Sequence, residues 1–235
     1  MPLCTENLHP DLVMGLFSTN RAVRLTSGLP PVCNRTADIP DWQLRAKGGS
    51  PEGKAMIGLF FEVIPLEGHA SRYFELAAVL RPELERSGGV LFIDRYTSTD
   101  RPEVILSHQW WADEESLIRW RAHTQHRAIQ RAGREQHFKD YRLRIGPAVD
   151  ASRAATAARS LWVFYHDTKP ARPAGGELFK SVYREGKFLV LSEQAPTVQD
   201  TSADRKAFEI TRDYTMYERT EAPQEYPPVM RDPQS

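Results

Sequence analysis

Between Met56 and Val149 the spacing of apolar residues switches from two to 3.6 and back, and this order of periods restricts the possible folds more than any composition value does. Met56 to Ile64 is β-branched and aromatic and stops at Pro65 and Gly68, as a buried strand does. Tyr73, Leu76, Ala77, Leu80 and Leu84 then share one helical stripe. Pro82 is expected to kink or shorten that helix, and Gly88-Gly89 to end it. Val90 to Thr97 reads as a second strand, Thr99-Asp100-Arg101-Pro102 as a hairpin turn, and Val104 to Trp111 as a third strand. Asp113 occupies the N-cap position of a second helix, whose Leu117, Trp120, Thr124 and Ala128 share a face up to Gly133. Tyr141 to Val149 closes the unit. The order β-α-β-β-α-β is a ferredoxin-like α+β unit, placed at residues 55–150.

The flanks differ. Residues 1–54 hold neither period for long and read as a poorly ordered tail, with Asp11 to Phe17 as its one candidate turn and residues 46–53 as a flexible linker. Beyond Val149 parts of the unit recur in order. Leu178-Phe179 and Tyr183 repeat the spacing of Leu91-Phe92 and Tyr96, Leu191-Ser192-Glu193-Gln194 echoes Leu106-Ser107-His108-Gln109, and Arg212-Asp213-Tyr214 echoes Lys139-Asp140-Tyr141. Residues 151–220 are therefore expected to hold a degenerate second repeat that opens with strand Leu161 to His166. It lacks the first helix, which the loop Lys169 to Gly176 replaces, and its second helix shrinks to about Ser202 to Phe208. Residues 221–235 are a Pro-rich tail.

Thirty-one Lys and Arg balance thirty-one Asp and Glu, so no global field attracts nucleic acid or an anionic membrane. The longest apolar stretch, Ile57 to Leu66, is too short to span a bilayer, and no basic-then-apolar leader opens the chain. A cytoplasmic location is the expectation. Cys4 and Cys33 are the only cysteines, so a disulfide framework or thiolate chemistry is not expected in the folded part.

Chemistry concentrates around the third strand. Alternation puts Ile105, Ser107, Gln109 and Trp111 on one face and Leu106, His108 and Trp110 on the other, and both faces carry large apolar groups. Such a strand needs helices over one face and a second sheet over the other. Trp111 and Trp120 would line a flat slot for a planar aromatic ligand, or else belong to the core. His123 and His126 have a spacing open to metal binding, but no carboxylate accompanies them, and on a helix bearing Arg119, Arg121, Arg127, Arg131 and Arg134 they read as solvated surface. His123 flanks Trp120 on the helical wheel and is the candidate base, while His126 lies further round. His108, on the opposite face, is read as an interface histidine. No Gly-rich phosphate loop or Gly-x-Ser-x-Gly elbow occurs.

The run Ile57-Gly-Leu-Phe-Phe-Glu-Val-Ile-Pro, the segment Leu106-Ser-His-Gln-Trp-Trp-Ala-Asp-Glu-Glu-Ser-Leu, and Trp120-Arg-Ala-His-Thr-Gln-His with Gln130-Arg-Ala-Gly-Arg resemble the antibiotic biosynthesis monooxygenase family of dimeric α/β barrel proteins. At the positions that haem-degrading members use, this chain carries Phe61, Trp120 and Gln130, which disfavours haem. At those of members oxidising polycyclic aromatic polyketides it carries Ser107, Trp111 and Leu117. The resemblance implies a monooxygenase that needs no cofactor and acts with O2 on a small aromatic or polycyclic phenolic substrate. In that reading His123 is the base, Ser107, Gln109 or Tyr96 donates to a developing oxyanion, and Trp111, Trp120, Phe61 and Leu117 hold the ring. A non-catalytic binding protein and an isomerase or lyase are the alternatives. The paired surface would come from a homodimer or from an intrachain pseudo-dimer.

Overall fold

The computed structural model describes residues 55–170, 175–195, 204–223 and 227–229. The expected tail 1–54 with its Asp11 to Phe17 turn and 46–53 linker, and most of the Pro-rich C-terminus, lie outside these residues.

The first unit forms in the expected order. Strand β1 (Ile57–Pro65) leads into helix α1 (Ala70–Ser87), followed by β2 (Val90–Ser98) and β3 (Ile105–Trp111). The stripe Tyr73, Leu76, Ala77, Leu80 and Leu84 is the buried face of α1. Pro82 lies inside that helix without shortening it, and the chain leaves through Gly88 and Gly89, both at positive φ.

The second helical segment departs from expectation. Asp113 caps it, accepting from the Ser116 backbone N–H at 2.8 Å. At His123, however, the backbone turns to ψ 128°, dividing the segment into α2 (Glu114–Ala122) and α3 (Thr124–Ala132), and a π-helical turn, Gly133–His137, follows. The break rotates α3 about its axis relative to a continuous helix, so Ile129 and Ala132 are buried while Thr124 and Ala128 are exposed. The fourth strand, β4 (Phe138–Val149), starts three residues earlier than the alternation suggests.

After a short helix α4 (Ala151–Thr156) come β5 (Ser160–His166), β6 (Gly176–Ser181), β7 (Phe188–Ser192), β8 (Asp204–Glu209) and β9 (Arg212–Thr215). The expected short helix at Ser202 to Phe208 is therefore wrong: its described part is β8. The reason is edge satisfaction, because β8 pairs with β5 along its length and with the end of β4 through Ala148↔Phe208 and Val149↔Ala207. Much of the connection between β5 and β6, and with it the expected Lys169 to Gly176 loop, lies outside the described residues.

The strands run β1-β3-β2-β6-β7-β5-β8-β4, and β4 also pairs with β1, so the antiparallel sheet closes on itself, with β9 beside β4. The order β6-β7-β5-β8 matches β2-β3-β1-β4 position for position. Both joints between the halves, β2 with β6 and β4 with β8, form within one chain. Ion pairs cross the halves as well: Arg184 to Asp94 at 2.6 Å, Arg101 to Glu177, and Arg144 to Glu193 at 3.1 Å.

Two layers of core result. Inside the closed sheet Phe60, Leu106, Trp110, Phe179, Leu189 and Phe208 pack together. Outside it, Ile57, Leu59, Ile93, Trp111 and Ile145 meet α1 to α3. His108 points inward, wholly buried and stacked on Phe60 at 4.4 Å, as an interface histidine should be. Its Nε2 accepts from Trp110 Nε1 at 2.9 Å and lies 2.7 Å from the Tyr165 hydroxyl. Among the described residues no helix is long and apolar enough to cross a membrane.

Gly58 and Gly146 face each other across β1 and β4. A Cβ on Gly58 would meet the Phe208 ring at 2.4 Å, and one on Gly146 would fall 1.8 Å from the Glu209 carbonyl oxygen. Backbone cannot yield as a side chain can, so Gly146→Ala is expected to destabilise the protein by about 3 kcal/mol in urea titration, the upper end for overpacking. Burial lowers the His108 imidazole to about 3. Between that value and the unfolded value near 6.5, the unfolded chain takes up a proton that the native state refuses. Stability from this group is complete above about pH 6.5 and falls by about 1.4 kcal/mol per pH unit below it. Denaturant midpoints between pH 7 and 4 should show a shallower slope in His108→Gln.

Candidate active site

Period-two alternation in the first four strands and the broken second helical segment together enclose a cavity of about 180 Å³. Its floor is the outer face of the sheet: Leu59 and Phe61 from β1, Ser107 and Gln109 from β3, and Leu143 and Ile145 from β4. Arg95 of β2 completes this floor, and Tyr73, Leu76, Trp120 and Ile129 close it from the helices. An apolar cavity of about 150 Å³ accepts benzene, so this one suits a ligand with a single ring better than a polycyclic one.

A chain of hydrogen bonds crosses the floor. Trp111 Nε1 donates to Gln109 Oε1 at 3.0 Å, and Gln109 Nε2 donates to Ser107 Oγ at 3.1 Å. An indole nitrogen can only donate, which fixes the otherwise ambiguous Gln109 amide with its oxygen toward Trp111. Ser107 thereby receives a hydrogen bond, and its own proton is left to be offered elsewhere.

On the helical side Trp120 stacks between two imidazoles, His126 at 4.4 Å and His123 at 5.4 Å between centroids. His126 Nδ1 lies 2.9 Å from the Trp120 carbonyl oxygen, which can only accept, so Nδ1 carries the proton and Nε2 keeps the lone pair. Burial lowers His126 to about 4, and the ring is neutral at neutral pH. Five arginines line the cavity, Arg95, Arg121, Arg134, Arg212 and Arg219, and among the described lining residues there is neither Asp nor Glu. Arg212 is paired with Glu114 at 2.5 Å, and Arg219 donates to the Tyr141 hydroxyl at 2.6 Å while lying over Tyr214.

The structure gathers Phe61, Ser107, Gln109, Leu117 and Trp120 on the cavity and places three expected site residues elsewhere. Tyr96 is on the opposite face of β2, buried in the closed sheet, because it follows Arg95 by one residue. Trp111 is fully buried in the layer between sheet and helices, outside the cavity lining, and bonds to the lining through Gln109. His123 caps α3 outside the lining, with Nε2 3.7 Å from a Glu83 carboxylate oxygen. His126 holds the place expected of His123, since the helix break turns the wheel on which His123 was favoured. Arg95 is a lining residue that the sequence reading does not name. Its signal is the alternation that puts Ile93 and Arg95 on one face of β2.

Comparison with known proteins follows the same segment. A sequence model described as antibiotic biosynthesis monooxygenase matches residues 56–132. The chain is 31% identical over 214 residues to a jasmonate monooxygenase from Pyricularia oryzae, covering 74% of this chain and all of that protein. Among solved structures, protein PA3566 from Pseudomonas aeruginosa aligns at 13% identity and TM-score 0.37 over 41% of this chain and 97% of that one. An anthrone oxidase-like protein aligns at 13% identity and TM-score 0.30 over 74% and 98%.

The low basicity of His126 is directly measurable. Its Cε1 proton resonance should stay close to its neutral position as pH falls from 7 to about 5, where an exposed histidine has already shifted.

Proposed function

The chain belongs to the antibiotic biosynthesis monooxygenase family, and from that premise we propose that the cavity under α1 to α3 is where it oxygenates a small, mainly apolar organic substrate with O2. The observation that carries this reading is the cavity itself: apolar side chains from both sheet and helices, arginines and no carboxylate among the described lining residues, space for about one ring, and a polar line from Trp111 through Gln109 to Ser107. The phenolic substrate is narrowed accordingly to a compound with one ring rather than a polycyclic one. The lining supplies one imidazole and neither carboxylate nor thiolate, a donor set that supports chemistry without a bound metal.

In such a reaction one oxygen atom enters the substrate and the other leaves as water, with the electrons drawn from the substrate or from an added reductant. An electron-rich substrate carbon, deprotonated in the dry cavity, passes an electron to O2, and the two radicals combine. The Ser107 O–H, aimed by Gln109, meets the oxyanion that develops. Trp120 offers its ring for stacking, and His126 Nε2 accepts a hydrogen bond. At a pKa of about 4 this imidazole is a weak base, so the substrate must be acidified by nearby positive charge rather than by a strong base. The isomerase or lyase alternative relied on His123 as base, and the position of that residue outside the cavity lining counts against it.

Jasmonate, from the name of the relative in Pyricularia oryzae, and a one-ring hydroquinone are the first compounds to incubate with the protein under 18O2, under air and without oxygen. A product carrying one 18O atom, formed only with both protein and O2, is expected. Identical product traces with and without protein sink the proposal, and saturable binding without turnover favours the binding-protein alternative. Ile129→Trp, which fills the cavity, should reduce turnover at least about tenfold while costing only about 1–3 kcal/mol of stability.

A further inference from the structure

Arg95 and Ser107 stand side by side in the register of β2 and β3 and both line the cavity. Each keeps one donor without an acceptor. The Ser107 hydroxyl accepts from Gln109, and no acceptor for its own proton occurs among the described residues. The Arg95 Nε is buried without a hydrogen-bond partner, and its guanidinium lies 5.9 Å from the centroid of the Tyr73 ring. The rest of the guanidinium is hydrogen-bonded to the Tyr73 and Tyr183 hydroxyls, neutral partners that leave its charge unmatched, and among the described residues no carboxylate pairs with it.

A guanidinium withdrawn from water without a counter-ion is costly, and Arg184, Arg101 and Arg144 at the joint between the halves have acids beside them in Asp94, Glu177 and Glu193. The missing acid is the simplest complement. A carboxylate brings a unit negative charge and two acceptor oxygens, which suit the planar fork of arginine and leave a lone pair for a hydroxyl donor. Leu76, Trp120, Ile129 and Leu143 offer apolar surface for the body of the ligand, and of the other lining arginines Arg212 is paired with Glu114, Arg219 donates to the Tyr141 hydroxyl and Arg134 to the Pro227 carbonyl.

We propose that Arg95 and Ser107 form a carboxylate seat, so that the substrate class is an apolar carboxylic acid bound by its acid end to the floor with its hydrocarbon body under Trp120. The proposal rests on reading the cavity as the substrate site, but it concerns binding and can be tested without turnover.

Isothermal titration of the full chain at pH 7.5 with 3-phenylpropionate and with 3-phenylpropan-1-ol compares one body with and without the charge. The acid is expected to bind at least about tenfold more tightly than the alcohol. In Arg95→Gln that ratio should collapse to about one while the affinity for the alcohol changes less than about twofold. Ser107→Ala should weaken the acid by about three- to tenfold and spare the alcohol. Should Arg95→Gln fail to fold, Arg95→Lys, which keeps the charge and loses the fork, should lower the ratio severalfold. Equal affinities in the unaltered protein, or a preference for the acid that survives substitution of Arg95, overturn the proposal. So does the absence of saturable binding across benzoate, phenylacetate, 3-phenylpropionate and 4-phenylbutyrate. A strong acid preference without any oxygenation would leave the seat standing and remove the monooxygenase reading. Oxygenation without an acid preference would do the reverse.

Discussion

A four-stranded antiparallel sheet has two edges whose N–H and C=O groups need partners, and in this chain β2 and β4 find theirs in β6 and β8. The rest of the architecture depends on that exchange. Once the edges are joined, the inward face becomes a sealed apolar interior that can bury His108 and Trp110, and the outward face of the first half is left to the helices. The cavity sits on that outward face. Its floor is held in register by strands paired on both sides, so Arg95, Ser107 and Phe61 lie in one row across β2, β3 and β1.

Rigidity in the floor is matched by specific irregularity in the roof. The interruption at His123 brings Ile129 and His126 over the cavity. The carbonyl of Trp120 holds the imidazole of His126 in one tautomer, while the Trp120 ring stacks on it. On the floor Gln109 does the corresponding work, its orientation imposed by Trp111 two residues further along the same face of β3. A buried tryptophan outside the cavity wall thus determines which way a hydroxyl inside it can point.

The periods of the sequence were enough to place the first unit, because burial on one helical stripe or one strand face leaves a pattern that local residues carry. Tyr73 to Leu84 and the two faces of β3 are examples. The break at His123 left no such trace: neither Gly nor Pro marks it, and its effect is a rotation that redistributes residues already of suitable type. Tyr96 is a related case. Its hydroxyl suits an oxyanion donor by type, but neighbouring residues of a strand face opposite ways, and the face that turns to the helices carries Arg95 and puts Tyr96 in the closed interior. The strand character of β8 depends on distant edges that need pairing, a requirement that six residues cannot express by themselves.

Closure within a single chain also alters what a substitution means. Where two identical copies pair, any change is made twice and must suit both symmetric seams. Here the seam of β2 with β6 and the seam of β4 with β8 have separate residues. Gly146 can be dictated by the backbone of Glu209 without any demand on the other seam, where Arg184 and Asp94 meet instead. Each half is free to specialise, one as the wall of a binding chamber and the other as its fixed support.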